Sequence, residues 1–268
     1  MRDISINRLI PNFITIAALC FGLNSIRYAL EGRWEFAMLM IVLAGILDGL
    51  DGRMARLLRA STPVGAQLDS LSDFACFGVA PAMLLYLWAL EDAGRFGWLV
   101  TLALPVCAAL RLARFNAGQE EADARPLSAK FFQGIASPAG AGLALMPIMI
   151  SFEVGSWIAD YPHLVGIWVI LISLGMVSQL PTYSFKKVAI AHQYKSLAMV
   201  GAGLFLVVLV SAPWPTLIGV GVAQIASIPF SYRDYRRLER DAAMANVEPL
   251  HGPSDRKTDG DKSGTAAG

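Results

Sequence analysis

Apolar residues fall into eight long runs, and the short segments between these runs hold most of the charge. The runs cover residues 12–30, 36–55, 70–90, 96–115, 135–152, 163–181, 196–212 and 214–231. A helix needs about 20 mainly apolar residues to cross a bilayer, and these runs are close to that length. The pattern therefore predicts an all-α integral membrane protein, a polytopic bundle of about eight transmembrane helices.

The distribution of basic residues predicts how such a bundle is oriented. With a cytoplasmic N-terminus, 19 of the 22 Lys and Arg residues fall in cytoplasmic segments, the exceptions being Arg27, Arg33 and Arg95. Cytoplasmic loops of membrane proteins carry such an excess. We therefore expect both termini in the cytoplasm, a membrane domain over residues 1–235 and a cytoplasmic tail over residues 236–268. The end of the chain is polar and lacks an apolar period, which predicts disorder in the tail.

Composition supports a membrane protein and excludes some classes of function. Hydrophobic residues make up 55% of the chain and charged residues 16%, with a mean hydropathy of +0.52. Soluble domains rarely have this composition. The net charge of +1 predicts no nucleic-acid partner. Cys20, Cys76 and Cys107 lie inside apolar runs without the spacing of metal ligands, which favours plain packing roles.

Four aspartates interrupt the apolar pattern at the junction of the second and third runs: Asp48, Asp51, Asp69 and Asp73. Spacings of three and four residues place each pair on one face of its helix. Two antiparallel helices joined by a short turn would bring the pairs together, where the carboxylates repel unless a cation bridges them. Oxygen ligands suit Mg²⁺, Mn²⁺ or Ca²⁺. Solvated helix ends would explain a single acid, but they explain four paired acids poorly.

Three residues between the two acidic pairs suit a ligand that carries phosphate. Gly52 leaves room for a ligand to approach the backbone beside Asp51. Arg56 can pair with a phosphate or a carboxylate. Together with Gly65, these residues extend the predicted site beyond the four acids.

The spacing of residues 48–73 resembles the signature of the CDP-alcohol phosphotransferase family, D-x2-D-G-x2-A-R-x8-G-x3-D-x3-D, at every fixed position. Other segments are similar to the bacterial phosphatidylserine synthase branch of that family. These are PNFIT at 11–15, LRLARFN at 110–116, FFQGIASPAGA at 131–141 and PTYSFKK at 181–187. The resemblance extends over about residues 5–235.

The resemblance implies transfer of a phosphatidyl group from CDP-diacylglycerol to L-serine, which yields phosphatidylserine and CMP. It implies a divalent metal, Mg²⁺ or Mn²⁺ with Ca²⁺ possible, held by the four aspartates, and Asp73 as the general base for the serine hydroxyl. It also implies a homodimer in a bacterial cytoplasmic membrane, with the site on the cytoplasmic side. The implied contacts of CDP-diacylglycerol are Gly52, Arg56, Asn12, Thr15 and Gly65.

An amino-acid acceptor needs polar and charged partners near the acids. Arg111 and Arg114 lie at the end of the fourth apolar run and share a helix face, Asn116 follows the run, and Lys130 comes shortly after them. We therefore predict that these four residues contribute to the acceptor pocket. The two arginines fit a topology-setting role equally well, and Lys130 fits an interfacial anchor, so the sequence leaves both interpretations open.

Other functions share part of the pattern. The signature does not distinguish serine from glycerol 3-phosphate, inositol phosphate or choline as the acceptor. A membrane prenyltransferase also holds a pyrophosphate with aspartates and Mg²⁺, but it lacks this spacing. An ion-coupled transporter also buries acids and often shows two matching halves. Residues 135–231 contain no second copy of the aspartate pattern, which disfavours a transporter.

Overall fold

The structure is a computed structural model that describes residues 9–58, 62–121, 131–178, 181–183 and 195–245. Most of these residues are helical. The helices are α1 (Leu9–Leu30), α2 (Trp34–Leu57), α3 (Pro63–Asp73), α4 (Ala80–Trp88), α5 (Arg95–Glu121), α6 (Ser137–Ala144), α7 (Met146–Val154), α8 (Pro162–Val177), α9 (Lys195–Ser211) and α10 (Pro213–Ala245). A π-helical segment, Phe74–Val79, joins α3 to α4, and 3₁₀ turns occupy Leu90–Ala93 and Ser156–Asp160.

The structure agrees with the predicted class, a helical membrane protein. In the described part of the chain, four helical segments are long and apolar enough to cross a membrane: Leu9–Leu30, Pro63–Trp88, Arg95–Ala117 and Ser137–Val154. Helix α8 is apolar but has 16 residues, fewer than the roughly 20 that span a bilayer. Helix α2 carries Asp48 and Asp51. Eight crossings therefore remain a prediction.

Helix α1 packs closely against the π-helical segment through small residues. An added Cβ at Gly22 would collide with Cys76 Sγ, so only glycine permits this approach. The Cys76 thiol donates a hydrogen bond to the Ala18 carbonyl oxygen at 3.4 Å. Ser72 Oγ lies 3.4 Å from the Thr15 carbonyl oxygen. These contacts fix the first turns of α1 beside the helix that carries the second acidic pair.

Helix α3 begins with a conventional cap and changes form directly after its last acid. Thr62 Oγ1 accepts a hydrogen bond from the Gly65 backbone N–H at 3.0 Å, and Pro63 occupies the first helical position. After Asp73 the backbone widens into the π-helical segment before α4 continues. Such segments within helices frequently occur at functional sites. Asp73 thus lies at a local break in the helical hydrogen-bond pattern.

The main core lies among α2, α4, α5, α6, α7 and α8. Leu84, Leu104, Leu143, Ile148 and Val169 are fully buried there. Burying such side chains contributes about 1.5–3 kcal/mol each relative to exposure in water. The core fixes α5 and α6 relative to the acid-bearing helices.

Apolar side chains also cover the outside of the bundle. Exposed examples include Leu99 on α5, Leu171 on α8 and Val207 on α9. A soluble monomer rarely exposes apolar surface as extensively as this. The exterior therefore fits a bilayer, in agreement with the predicted class.

The structure differs from the predicted fold in two places. Strand β1 (Phe131–Gln133) pairs antiparallel with β2 (Pro181–Tyr183), although the prediction contained helices only. Strands of three residues are too short for the alternation that marks a strand in a sequence. Helix α10 continues to Ala245, past the predicted boundary at 235, because Arg, Leu, Glu and Ala favour helix. Residues 246–268 of the predicted tail lie outside the described residues.

Candidate active site

Three of the four aspartates converge at one end of the bundle. One carboxylate oxygen each from Asp48, Asp51 and Asp69 forms a group in which all lie within 4.8 Å of one another. Asp51 is 3% exposed, and the other two are partly buried. Asp48 and Asp51 lie in the second half of α2 and Asp69 in the second half of α3, and α1 packs against both helices. The structure thus brings together acids from both predicted pairs.

Asp73 joins this group through Asp48. Their carboxyl groups lie within hydrogen-bonding reach of each other. Asp73 Oδ1 is buried and has no hydrogen-bond partner among the described residues. A buried polar atom without a partner costs free energy, about 1–3 kcal/mol or more when it is charged. Its position calls for a ligand that donates a hydrogen bond or carries positive charge.

Among the described residues, no basic side chain forms an ion pair with any of the four carboxylates. The ion pairs formed by the described residues are Arg27–Glu31 and Arg33–Glu31, in and just beyond the last turn of α1. Four acidic side chains without a cation repel one another strongly in a partly buried setting. A donor set of clustered carboxylate oxygens is the one that Mg²⁺, Mn²⁺ and Ca²⁺ prefer. The residues present therefore fit a divalent metal.

Thr15 lies behind Asp51 on the neighbouring helix. Its Oγ1 is 2.6 Å from Asp51 Oδ2 and 3.0 Å from the Pro11 carbonyl oxygen, and the residue is 4% exposed. A hydroxyl in this position orients the carboxylate. The sequence predicted Thr15 as a contact of CDP-diacylglycerol, whereas the structure places it against a candidate metal ligand.

We expect Thr15→Val to weaken Mn²⁺ binding by about 10- to 100-fold, the usual effect of losing an outer-shell partner of a metal ligand. Valine keeps the shape of threonine but cannot hold Asp51 Oδ2. Electron paramagnetic resonance of free Mn²⁺, titrated against the detergent-solubilised protein, measures the affinity. Thr15→Ser should retain wild-type affinity. Equal affinities for the valine and serine variants would contradict the positioning role.

Asn12 and Gly65 form a close contact between α1 and α3. An added Cβ at Gly65 would lie 2.8 Å from Asn12 Oδ1 and 3.0 Å from Thr62 Oγ1, closer than real Cβ contacts. The glycine therefore lets α1 approach the start of α3. Asn12 is partly buried beside the acid-bearing helices.

Gly52 and Arg56 lie on an open part of α2. Apart from the backbone of α2 itself and the two neighbours of Gly52 in the chain, no atom of the described residues lies within 4 Å of the point where a Cβ would extend from Gly52, so a ligand can approach the backbone beside Asp51. Arg56 is exposed one turn further along the helix. This arrangement leaves space for a large polar group next to the acids.

The predicted acceptor residues on α5 point to different parts of the fold. Arg114 is exposed and donates from Nη1 to the Val177 carbonyl oxygen at 2.9 Å, at the end of α8. Asn116 donates from Nδ2 to Ser70 Oγ at 3.2 Å, on α3. Lys130 lies outside the described residues. Of the three described residues, Arg111 is the one whose positive charge interacts with an acid of the cluster, Asp73.

Arg111 contacts a residue that the sequence interpretation missed. Its Nη1 donates to Ser137 Oγ at 2.9 Å, and its positive charge interacts favourably with Asp73. Ser137 is fully buried and is the first residue of α6, followed by Pro138. A Ser-Pro pair in a sequence marks a helix start but carries no sign of a polar contact to another helix. Only the packing of α5 against α6 reveals it.

Fold and site together define a membrane-embedded protein with an acidic centre suited to a divalent metal. The model of the CDP-alcohol phosphatidyltransferase family matches residues 8–177, and that of CDP-alcohol phosphatidyltransferase 2 matches residues 193–229. The first match covers more than half of the chain. The chain therefore belongs to the CDP-alcohol phosphatidyltransferase family, as the signature at residues 48–73 predicted.

Curated relatives extend this similarity over most of the chain. A Mycobacterium leprae protein named CDP-diacylglycerol–serine O-phosphatidyltransferase is 35% identical over 233 residues, which cover 86% of this chain and 77% of the relative. Proteins of the same name from Helicobacter pylori and Bacillus subtilis are 35% identical over 180 residues and 36% identical over 178 residues. The matches cover 67% and 66% of this chain, and 74% and 92% of those relatives.

Proposed function

We propose that this protein transfers the phosphatidyl group of CDP-diacylglycerol to L-serine, yielding phosphatidylserine and CMP. The observation that carries the proposal is the cluster of four aspartates in which Asp73 Oδ1 is buried without a partner. The names of the relatives support serine as the acceptor.

Asp48, Asp51, Asp69 and Asp73 would hold the divalent metal. Bound there, a metal supplies charge neutralisation for the diphosphate and for the departing CMP. The protein contributes the geometry, because two helices fix the four acids and Thr15 orients Asp51. Mg²⁺ and Mn²⁺ are the proposed ions, and Ca²⁺ offers similar coordination chemistry.

Asp73 acts as the general base of the transfer. Its free Oδ1 takes the proton of the serine hydroxyl, and the serine oxygen forms a bond to the phosphorus that carries the diacylglycerol. The bond from that phosphorus to the oxygen of CMP breaks, and CMP leaves with its electron pair. A positioned base of this kind contributes about 10²- to 10⁴-fold to a rate.

The two substrates approach the acids from different elements. Gly52 and Arg56 lie on the open face of α2 and contact the CDP part, with Asn12 and Gly65 at the adjoining end of α1 and α3. Arg111 faces Asp73 from α5 on the acceptor side. Arg114, Asn116 and Lys130 complete the proposed acceptor region.

The proposed setting is a bacterial cytoplasmic membrane. The distribution of Lys and Arg supports eight crossings with both termini, and hence the acidic site, on the cytoplasmic side. Residues 1–235 form the membrane domain and residues 236–268 the cytoplasmic tail. We further propose that the protein is a homodimer, on the basis of the resemblance to the family.

Purified protein incubated with CDP-diacylglycerol, Mn²⁺ and one alcohol at a time tests the proposal through CMP release. We expect release with L-serine, and phosphatidylserine as the lipid product. Glycerol 3-phosphate, inositol phosphate and choline are the competing acceptors. Release with one of these but not with serine would overturn the proposed acceptor, and no release with any alcohol would overturn the transferase.

A further inference from the structure

Two buried polar atoms on Asp73 and Arg111, side chains whose charges interact, lack hydrogen-bond partners among the described residues. Asp73 Oδ1 is a buried acceptor, and Arg111 Nε is a buried donor, and neither has a hydrogen-bond partner among the described residues. Their side chains attract each other electrostatically but form no ion pair with each other. Buried polar atoms are nearly always paired in folded proteins, so these two exceptions on side chains of opposite charge need an explanation.

The Arg111 guanidinium is fixed in its orientation by α6. Ser137 Oγ accepts a hydrogen bond from Nη1 at 2.9 Å, and Ser137 is 0% exposed. The contact holds one edge of the planar group and leaves the Nε–H free. Since guanidinium donors have a fixed fork geometry, holding one nitrogen also sets the direction of the others.

We propose that Asp73 Oδ1 and Arg111 Nε together bind the reacting hydroxyl of the acceptor, and that Ser137 is the positioning residue for Arg111. A hydroxyl can donate one hydrogen bond and accept others at the same time, which matches one free acceptor and one free donor. Its proton points at Asp73, and one oxygen lone pair receives the Arg111 N–H. The other lone pair remains available for attack on phosphorus.

This assignment gives Arg111 a role in the transfer step. As the proton moves to Asp73, the serine oxygen gains negative charge. A hydrogen bond from a guanidinium strengthens when its acceptor becomes charged. The contact therefore stabilises the transition state more than the bound substrate, which is the requirement for catalysis.

A carboxylate of the acceptor is the competing partner for Arg111, because a guanidinium binds carboxylates well. The unpaired Asp73 Oδ1 argues against a substrate carboxylate in this position. A carboxylate has no hydrogen to donate, so Asp73 Oδ1 would remain without a hydrogen-bond partner. A hydroxyl satisfies both unpaired atoms, whereas a carboxylate satisfies only Arg111. The two possibilities predict different results for an analogue of the acceptor that lacks the hydroxyl. Loss of the Arg111 contact should weaken binding of this analogue only if Arg111 binds the carboxylate.

The inference rests on the proposed serine activity, and one experiment tests both. Serine-dependent CMP release is measured for wild type, Ser137→Ala and Arg111→Lys, with L-alanine as a competitive inhibitor that lacks the hydroxyl. We expect kcat/KM for serine to fall about 2- to 10-fold in Ser137→Ala, the usual effect of losing one hydrogen bond. A larger fall is expected in Arg111→Lys, which loses the Nε donor. The Ki of L-alanine and the KM of CDP-diacylglycerol should stay unchanged.

Different outcomes separate the proposals. Parallel weakening of serine and L-alanine would assign Arg111 to the carboxylate and overturn the inference, while the proposed function stands. Unchanged serine kinetics in both variants would also overturn it. Absence of serine-dependent release from the wild type would overturn both. Ser173→Ala is the matched control, because Ser173 is equally buried and bonds only to the Val169 carbonyl oxygen of its own helix.

Discussion

Asp73→Asn should lower serine-dependent CMP release by about 10²- to 10⁴-fold, the contribution expected of a general base. An asparagine has nearly the same shape as aspartate, but its amide does not take up the proton of the serine hydroxyl. The residue lies where α3 gives way to the π-helical segment, with Oδ1 buried and unpaired. Initial rates of CMP release at saturating serine and CDP-diacylglycerol measure the effect.

The experiment must also distinguish a general-base role of Asp73 from a role as metal ligand, because Asp73 lies against Asp48 in the acidic cluster. The rates are therefore measured over a range of Mn²⁺ concentrations. If Asp73 is the general base, the rate of the Asp73→Asn variant should stay low even when Mn²⁺ saturates the site. Recovery of the wild-type rate at high Mn²⁺ would show that Asp73 contributes through metal binding and would contradict the base role.

Asp160→Asn is the matched control for this substitution. Asp160 is exposed in the 3₁₀ turn before α8, apart from the acidic cluster. It experiences the same change of side chain and charge, so a normal rate in this variant excludes a general effect of losing one carboxylate. Membrane insertion of both variants should match the wild type, since neither substitution alters an apolar run.

Spacing along the sequence was sufficient to predict the acidic cluster but insufficient for the residues around it. Asp48 and Asp51 share a face because they are three residues apart, and the short turn to α3 leaves few ways to place Asp69. Arg111 and Arg114 are also three apart, yet one contacts Ser137 and the other the Val177 carbonyl oxygen. Their partners lie 26 and 63 residues away in the chain, a distance at which helical periodicity carries no information.

Thr15 is a second example of a residue whose contact partner the sequence does not identify. The resemblance implied a contact between Thr15 and CDP-diacylglycerol, but the sequence alone does not say whether its hydroxyl meets a ligand or a neighbouring side chain. The close packing of α1 through Gly22 and Cys76 turns its hydroxyl towards Asp51. Periodicity identifies which face of a helix is buried, whereas the depth of packing decides what each buried polar group meets.

Removal of divalent metal should abolish CMP release altogether, and Mn²⁺ or Mg²⁺ should restore it. The reason is electrostatic, because a diphosphate cannot approach four partly buried carboxylates that no basic side chain of the described residues contacts. The assay follows CMP release after treatment with a chelator and again after adding Mg²⁺, Mn²⁺ or Ca²⁺. Turnover that persists in the presence of the chelator would contradict a metal-bridged site.

The Asp51→Asn variant tests whether the metal requirement depends on the Asp51 carboxylate. Asp51 is the most deeply buried of the four acids, and its carboxylate faces Asp48 and Asp69 while Thr15 holds Oδ2. The amide keeps a contact with Thr15 but removes one negative charge from the cluster. We therefore expect the Mn²⁺ concentration for half-maximal activity to rise by more than the 10- to 100-fold typical of an outer-shell change. An Mn²⁺ requirement equal to that of Asp160→Asn would exclude Asp51 as a ligand, since the two variants differ only in where the charge is lost.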